Sequence, residues 1–257
     1  MEYKTFKTEA IIIKEKEFSE ADKLFTVFTR RYGRIEILAK SIRKIKAKLQ
    51  GGLQLLNYLS LEFVKGRSFN IATDAIIKNE FLSLKSSPLK FRAALYVSDL
   101  LDKLVKGEEK DDRIWHLLLE TLSNLQLTTC NLQLVLRYFE WNLLSYLGFK
   151  PELYFCVHCQ EKIQKGKVFF SVKDGGVLCQ GCKKKYEAKS NKSFKGEITP
   201  GIEEISKDAI KILRLIITQN QIILKRLKMT PALLQELKKI SKLFLQYIAE
   251  EELYVVI

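Results

Sequence analysis

The chain has 257 residues, of which 47% are apolar and 29% charged, a composition typical of a soluble globular protein and not of a disordered chain. Lysine or arginine interrupts every apolar segment, and the N-terminus lacks the layout of a signal peptide. We therefore expect a cytoplasmic protein without membrane-spanning helices. The formal net charge of +14 predicts an acidic partner, with nucleic acid first and an anionic membrane surface second.

The excess positive charge lies in two segments. Residues 1–80 hold 16 lysine and arginine residues against 10 aspartate and glutamate residues, and residues 151–196 hold 10 against 4. The remaining segments, residues 81–150 and 197–257, are nearly neutral. A nucleic-acid contact is therefore expected in the first segment. The lysines between Lys183 and Lys195, in the third segment, are interpreted as a solvated face that could also hold a phosphate backbone.

Residues 1–80 are predicted to form a small β-barrel. Turn residues separate most of the short segments in which apolar and polar side chains alternate. The five predicted strands are Thr5–Lys14, Leu24–Arg31, Ile35–Ala39, Leu55–Lys65 and Phe69–Ile77. A five-stranded barrel of the oligonucleotide-binding (OB) type fits this size, and an SH3-like barrel fits the pattern nearly as well.

A basic segment, residues 40–48, separates the third strand from the fourth and contains no acidic residue. Such a run is usually a solvated loop, but its place after a barrel strand favours contact with phosphates. The candidate DNA-binding residues are Lys40, Arg43, Lys44, Lys46 and Lys48. Three aromatic residues, Tyr32, Phe18 and Phe69, are candidates for stacking on bases, although packing in the barrel is the commoner role.

Residues 81–257 are predicted to form a helical domain that is interrupted at residues 151–196. A helix begins at Pro88, because proline is favoured in the first turn, and two more cover Ile114–Leu127 and Asn131–Leu147. Two Thr-Pro pairs, at residues 199–200 and 230–231, predict the starts of the last two helices.

Two Cys-x-x-Cys pairs lie within the interrupting segment. Cys156 and Cys159 are followed by nineteen residues and then by Cys179 and Cys182, which is the spacing of a structural zinc site. Four thiolates complete a tetrahedral shell, so the site has no open position for catalysis. Two disulfides or reduced buried thiols are the alternatives. His158 is expected to be a polar neighbour of one structural zinc ion.

The order of these features resembles the bacterial RecO family of recombination mediators. The segments that carry the resemblance are Thr8–Ile13, Phe18–Leu24, Ala39–Lys44 and Leu147–Leu153. The family implies an α+β fold: an N-terminal OB-type barrel (residues 1–80), then a helical bundle (81–257) with an inserted four-cysteine zinc module (151–196). Serine at position 41 departs from the family's usual glycine, and Lys44 stands where arginine is frequent.

The resemblance also implies a function. RecO-like proteins bind single- and double-stranded DNA, anneal complementary strands and, with RecR, help to load RecA onto DNA coated by single-strand-binding protein, whose acidic C-terminal tail they contact. Carried over to this chain, Lys40, Arg43 and Lys44 fall on the family's basic motif, whereas Lys46 and Lys48 are predicted from charge alone. A cytoplasmic, nucleoid-associated DNA repair protein without a membrane partner is expected.

Enzymatic activity is not expected, because the sequence lacks a P-loop and the histidine motifs of zinc hydrolases. An RNA-binding or ribosome-associated zinc protein is the alternative, since charge does not separate RNA from DNA. An enzyme with a site that these motifs do not reveal is the third hypothesis.

Overall fold

The structure, a computed structural model, describes residues 4–42, 49–108, 110–127, 131–163, 166–193, 201–218, 227 and 229–250. The strands are β1 (Thr5–Glu17), β2 (Lys23–Thr29), β3 (Gly33–Ala39), β4 (Tyr58–Lys65), β5 (Asn70–Asn79), β6 (Val168–Ser171), β7 (Gly176–Cys179) and β8 (Ile202–Ile205). The helices are α1 (Leu82–Lys85), α2 (Pro88–Leu104), α3 (Asp112–Gln126), α4 (Leu132–Tyr146), α5 (Gln180–Ser193), α6 (Lys207–Thr218) and α7 (Pro231–Ala249). The chain divides into two compact units, Met1–Thr128 with Val256–Ile257, and Thr129–Val255.

The five N-terminal strands form a closed barrel in the order β1-β2-β3-β5-β4, because β4 also pairs with β1. All neighbouring strands are antiparallel except β3 and β5, which are parallel. Alternate side chains fill the interior, among them Ile12, Phe25, Val27 and Ile37. The five predicted strands are confirmed, with ends shifted by a few residues.

Helix α2 contacts the outer surface of β1 within the same compact unit. The Asp102 carboxylate accepts hydrogen bonds from Lys14 Nζ at 2.7 Å and from Arg34 Nη2 at 2.6 Å. Burial opposes ionisation of Asp102, but these two cations outweigh it and hold the pKa of the carboxyl below its usual value. The barrel and helix α2 are therefore tied together by apolar packing and by charge.

The second unit contains a three-stranded sheet, β7-β6-β8, and helices α4, α6 and α7. Trp141 lies at the centre of its core. The indole stacks on Phe244 with 5.6 Å between ring centroids, meets Phe170 edge to face at 5.9 Å, and donates a hydrogen bond from Nε1 to Ser241 Oγ at 2.7 Å. A buried tryptophan with its N–H satisfied is a strong packing centre.

The predicted start of the helix after Thr199-Pro200 is wrong. Ile202–Ile205 forms strand β8, which pairs with β6, and helix α6 begins only at Lys207. Ser206 marks the boundary, because its hydroxyl accepts a hydrogen bond from the Ala209 amide at 3.1 Å. Sheet pairing with a distant strand thus overrides local helical periodicity. Thr199 and Pro200 lie outside the described residues.

The other four predicted helix starts agree with the structure to within two residues, whereas α1 and α5 were not predicted. Helix α2 begins at Pro88, and helix α7 follows Thr230, whose hydroxyl accepts from the Leu233 amide. The predicted domain boundary near residue 80 follows the end of β5 and stays a prediction, since the compact units divide at residue 128. Within the described part of the chain, no helix is both long and apolar enough to cross a membrane.

Candidate metal centre and nucleic-acid interface

The four predicted ligand cysteines come together in the structure. The Sγ atoms of Cys156, Cys159, Cys179 and Cys182 all lie within 4.8 Å of one another. All four are free thiols, and the Sγ atoms of Cys159 and Cys179 are 3.9 Å apart. The disulfide alternative therefore does not describe this arrangement.

Local hydrogen bonds shape the first thiol pair. The Cys156 amide donates to Glu161 O, and the Gln160 amide donates back to Cys156 O, each at 2.9 Å. Gln160 closes this turn in the left-handed region, with φ of +60°. The Val157 amide donates to Val177 O at 2.9 Å and so docks the turn onto β7.

The second thiol pair spans a strand-to-helix junction. Cys179 ends β7, and Cys182 lies in the first turn of α5. The fit between the two pairs depends on Gly176. A Cβ at this position would lie 2.6 Å from both Glu152 O and Val157 Cγ1, so only glycine permits the close approach. The spacing of the cysteines in the sequence does not reveal this role of Gly176.

The cluster favours ionisation at one thiol and opposes it at another. Burial raises the pKa of Cys156, but amide donors from Cys159, Cys179 and His158 outweigh it and lower the pKa of this thiol to about 6. Burial, and next the neighbouring thiols, raise the pKa of Cys182 to about 12. Four thiolates at this spacing repel one another unless a cation lies between them.

The geometry fits a tetrahedral metal ion. Bonds of about 2.3 Å from zinc to sulfur place the sulfurs about 3.8 Å apart, close to the 3.9 Å between Cys159 and Cys179. His158 is not a member of the cluster and instead packs edge to face on Tyr186, with 5.8 Å between ring centroids. These four cysteines can thus hold one metal ion, with no fifth protein ligand from His158.

The predicted basic segment is described only at its start. Lys40 is exposed at the end of β3, whereas Arg43, Lys44, Lys46 and Lys48 lie outside the described residues. The next residue, Ser41, has φ of +54°, and its amide donates to Asp22 Oδ1 at 2.7 Å. The β1–β2 loop therefore holds the beginning of the basic segment in a left-handed turn.

We expect Ser41→Gly to stabilise the protein. Left-handed backbone strains a residue that carries a Cβ, and glycine removes that strain at some loss of chain entropy. A net gain of about 0.5 to 1 kcal/mol, or a rise in Tm of about 3 °C, is expected by thermal unfolding. Ser41→Ala is the matched control and should give no gain. Equal Tm values for the two variants would contradict backbone strain at Ser41 as the cause.

The three predicted aromatic residues separate into two groups. Tyr32 packs edge to face on Phe6 and Phe63 at one end of the barrel interior. Phe18, in the β1–β2 loop, and Phe69, in the β4–β5 loop, form an edge-to-face pair with 5.3 Å between centroids. Phe18 is 49% exposed. The structure therefore supports packing for Tyr32 and leaves at the rim a pair in which Phe18 is exposed and Phe69 is half-buried.

A closed barrel, a helical region and a four-thiol cluster define an α+β protein with one candidate metal centre. Two family models match the chain, Recombination protein O N terminal at residues 1–81 and Recombination protein O C terminal at residues 86–253. The chain belongs to the RecO family, which has a role in DNA repair and recombination.

Curated relatives named DNA repair protein RecO agree with these matches. The protein from Dehalococcoides mccartyi strain 195 is 33% identical over 247 residues, 96% of this chain and 92% of that protein. The protein from Roseiflexus sp. strain RS-1 is 30% identical over 256 residues, which cover 98% of this chain and 84% of that protein. The protein from Desulforamulus reducens is 28% identical over 250 residues, which cover 97% of this chain and 92% of that protein.

Proposed function

We propose that this protein is a DNA-binding recombination mediator that anneals complementary single strands. With RecR, it helps to load RecA onto DNA coated by single-strand-binding protein. The observation that carries the proposal is the RecO match over both halves of the chain. The relatives are named as DNA repair proteins, and the net charge of +14 suits a polyanionic partner. RecR and the acidic tail of single-strand-binding protein are its proposed protein partners.

The barrel is proposed to be of the OB type. Its strand order and its parallel β3–β5 pair support a Greek-key barrel over the SH3-like alternative. OB barrels bind nucleic acid with the β1–β2 and β4–β5 loops, the two loops that meet here at Phe18 and Phe69. Lys40, Arg43, Lys44, Lys46 and Lys48 are proposed to contact phosphates beside this rim.

The four-cysteine cluster is proposed to hold one structural zinc ion. Four thiolates are the donor set that zinc prefers in closed structural sites, and a closed site leaves no position for a substrate. The ion would join the turn at Cys156 to the β7–α5 junction at Cys179. We propose no catalytic role for this centre and no enzymatic activity for the protein.

Annealing is proposed to depend on bound charge and on local concentration. Two DNA strands repel each other through their phosphates, and a cationic surface that binds both lowers this repulsion and raises the encounter rate. No covalent bond is made or broken, so the step needs no nucleotide hydrolysis. The rate is therefore expected to fall as salt screens the phosphate contacts.

The test is annealing of two complementary DNA strands, each coated with single-strand-binding protein, without ATP and at several salt concentrations. We expect the protein to accelerate annealing, with an effect that fades as salt rises. No acceleration, together with no binding of bare DNA, would overturn the proposal. Binding of RNA in preference to DNA of the same sequence would then favour the RNA-binding alternative.

A further inference from the structure

We infer that Phe18 and Phe69 form a base-stacking site that lets the barrel select unpaired DNA. This inference rests on the proposed function and names the part of the barrel that distinguishes a single strand from a duplex. The two rings come from loops about 50 positions apart in sequence, so neither loop alone makes the site.

The outer face of β2 and β3 is already covered within the first compact unit. Outward-facing Phe28 is 1% exposed and stacks on Trp115 of α3, with 6.4 Å between centroids. Its neighbour across the strands, Arg34, is paired with Asp102 of α2. Helices α2 and α3 therefore occupy a surface where bases would otherwise lie, and the loops at the rim remain.

Backbone hydrogen bonds hold both rings in place. The amides of Phe18 and Ser19 donate to Asp22 O at 3.2 and 3.3 Å, which closes the β1–β2 loop. The Gly66 amide donates to Phe69 O at 3.1 Å, and a Cβ at Gly66 would lie 2.5 Å from that same oxygen. The tight glycine turn thus presents Phe69 beside Phe18, so the platform is preorganised.

Cations lie beside Phe69, on one side of the aromatic pair. A depression of about 460 Å³ borders Phe69 and is lined in part by Lys65 and Arg67, which are exposed, and by two carboxylates, Glu36 and Glu108. On the other side, Asp22 links the Phe18 loop to the turn that carries Lys40. A single strand that crosses the rim would therefore meet the cations Lys65 and Arg67 beside Phe69 and the exposed carboxylates Glu17 and Glu20 beside Phe18, so the cationic side of the site is the Phe69 side.

An exposed ring beside cations suits an unpaired base better than a duplex. Every base offers a π-face to an aromatic side chain, whereas bases in a duplex are already stacked on their neighbours. Stacking is independent of salt, in contrast to phosphate contacts. The site is therefore expected to change affinity for single strands without changing the salt dependence.

The test is binding of the full protein to an oligonucleotide as a single strand, as a duplex and as a strand with abasic positions. We expect Phe18→Leu to weaken single-strand binding about tenfold and duplex binding less than twofold, with an unchanged salt slope. Phe18→Tyr, which keeps the ring, should bind as the unaltered protein does. Abasic strands should bind equally to Phe18→Leu and to the unaltered protein.

Phe149→Leu is the matched control, because Phe149 is 42% exposed and lies in the second compact unit. It should leave binding unchanged, and thermal unfolding should show that each variant is folded. If the substitutions weaken single-strand binding and duplex binding equally, the stacking site is overturned while DNA binding stands. The same conclusion follows if neither Phe18→Leu nor Phe69→Leu weakens single-strand binding. Failure of the unaltered protein to bind DNA at low salt would overturn the proposed function as well.

Discussion

Cys156→Ser is expected to abolish stoichiometric metal binding and to unfold the module built from β6, β7 and the Cys156 turn. Cys156 is fully buried, and its sulfur accepts a hydrogen bond from the Cys179 amide, so this thiolate is central to the cluster. Structural zinc contributes about 10 kcal/mol or more to folding in small zinc modules, comparable to the whole stability of a typical domain. The measurements are metal analysis, with one zinc per chain expected in the unaltered protein, and thermal unfolding.

His158→Ala is the control for this experiment. His158 lies inside the same Cys-x-x-Cys pair but packs on Tyr186 and is outside the thiol cluster. This variant should keep one zinc per chain and nearly the original Tm. One zinc ion per chain in Cys156→Ser would contradict the proposed centre. The absence of zinc from freshly purified, reduced, unaltered protein would contradict it as well. Loss of zinc in His158→Ala would show that the histidine takes part in holding the ion.

The combined change of Lys40, Arg43 and Lys44 to alanine is expected to weaken single-strand binding strongly. Each phosphate contact contributes about 0.7 to the slope of log affinity against log salt, so three lost contacts lower the slope by about 2. At about 0.1 M salt the same loss corresponds to roughly a hundredfold in affinity. Titrations at several salt concentrations measure both quantities.

The matched control removes three positive charges from the second compact unit. Lys207, Lys211 and Lys239 are exposed residues there, so their combined change to alanine gives the same net charge. This control should leave the salt slope nearly unchanged. An unchanged slope in the Lys40, Arg43 and Lys44 variant, or equal losses in both, would show that overall charge and not this segment holds DNA.

Local patterns predicted much of the fold. Alternation of apolar residues identified the barrel strands, and the Thr230-Pro231 pair identified the start of α7, because these signals act over a few residues. The strand at Ile202–Ile205 was missed, since its partner β6 lies about 30 positions away in sequence. The hydrogen bonds at a sheet edge come from a strand that is distant in sequence, so no local pattern predicts them.

The sequence by itself determined the candidate metal centre, because two Cys-x-x-Cys pairs specify their chemistry through spacing alone, and it determined the excess positive charge of the barrel. Only the tertiary structure decided that Phe18 meets Phe69, that Asp22 holds the turn at Ser41, and that Trp115 covers Phe28. The physical reason is that ligand spacing and charge are properties of the chain itself. Contacts between loops depend on how the strands pair, and pairing is set by non-local hydrogen bonds and shared apolar burial.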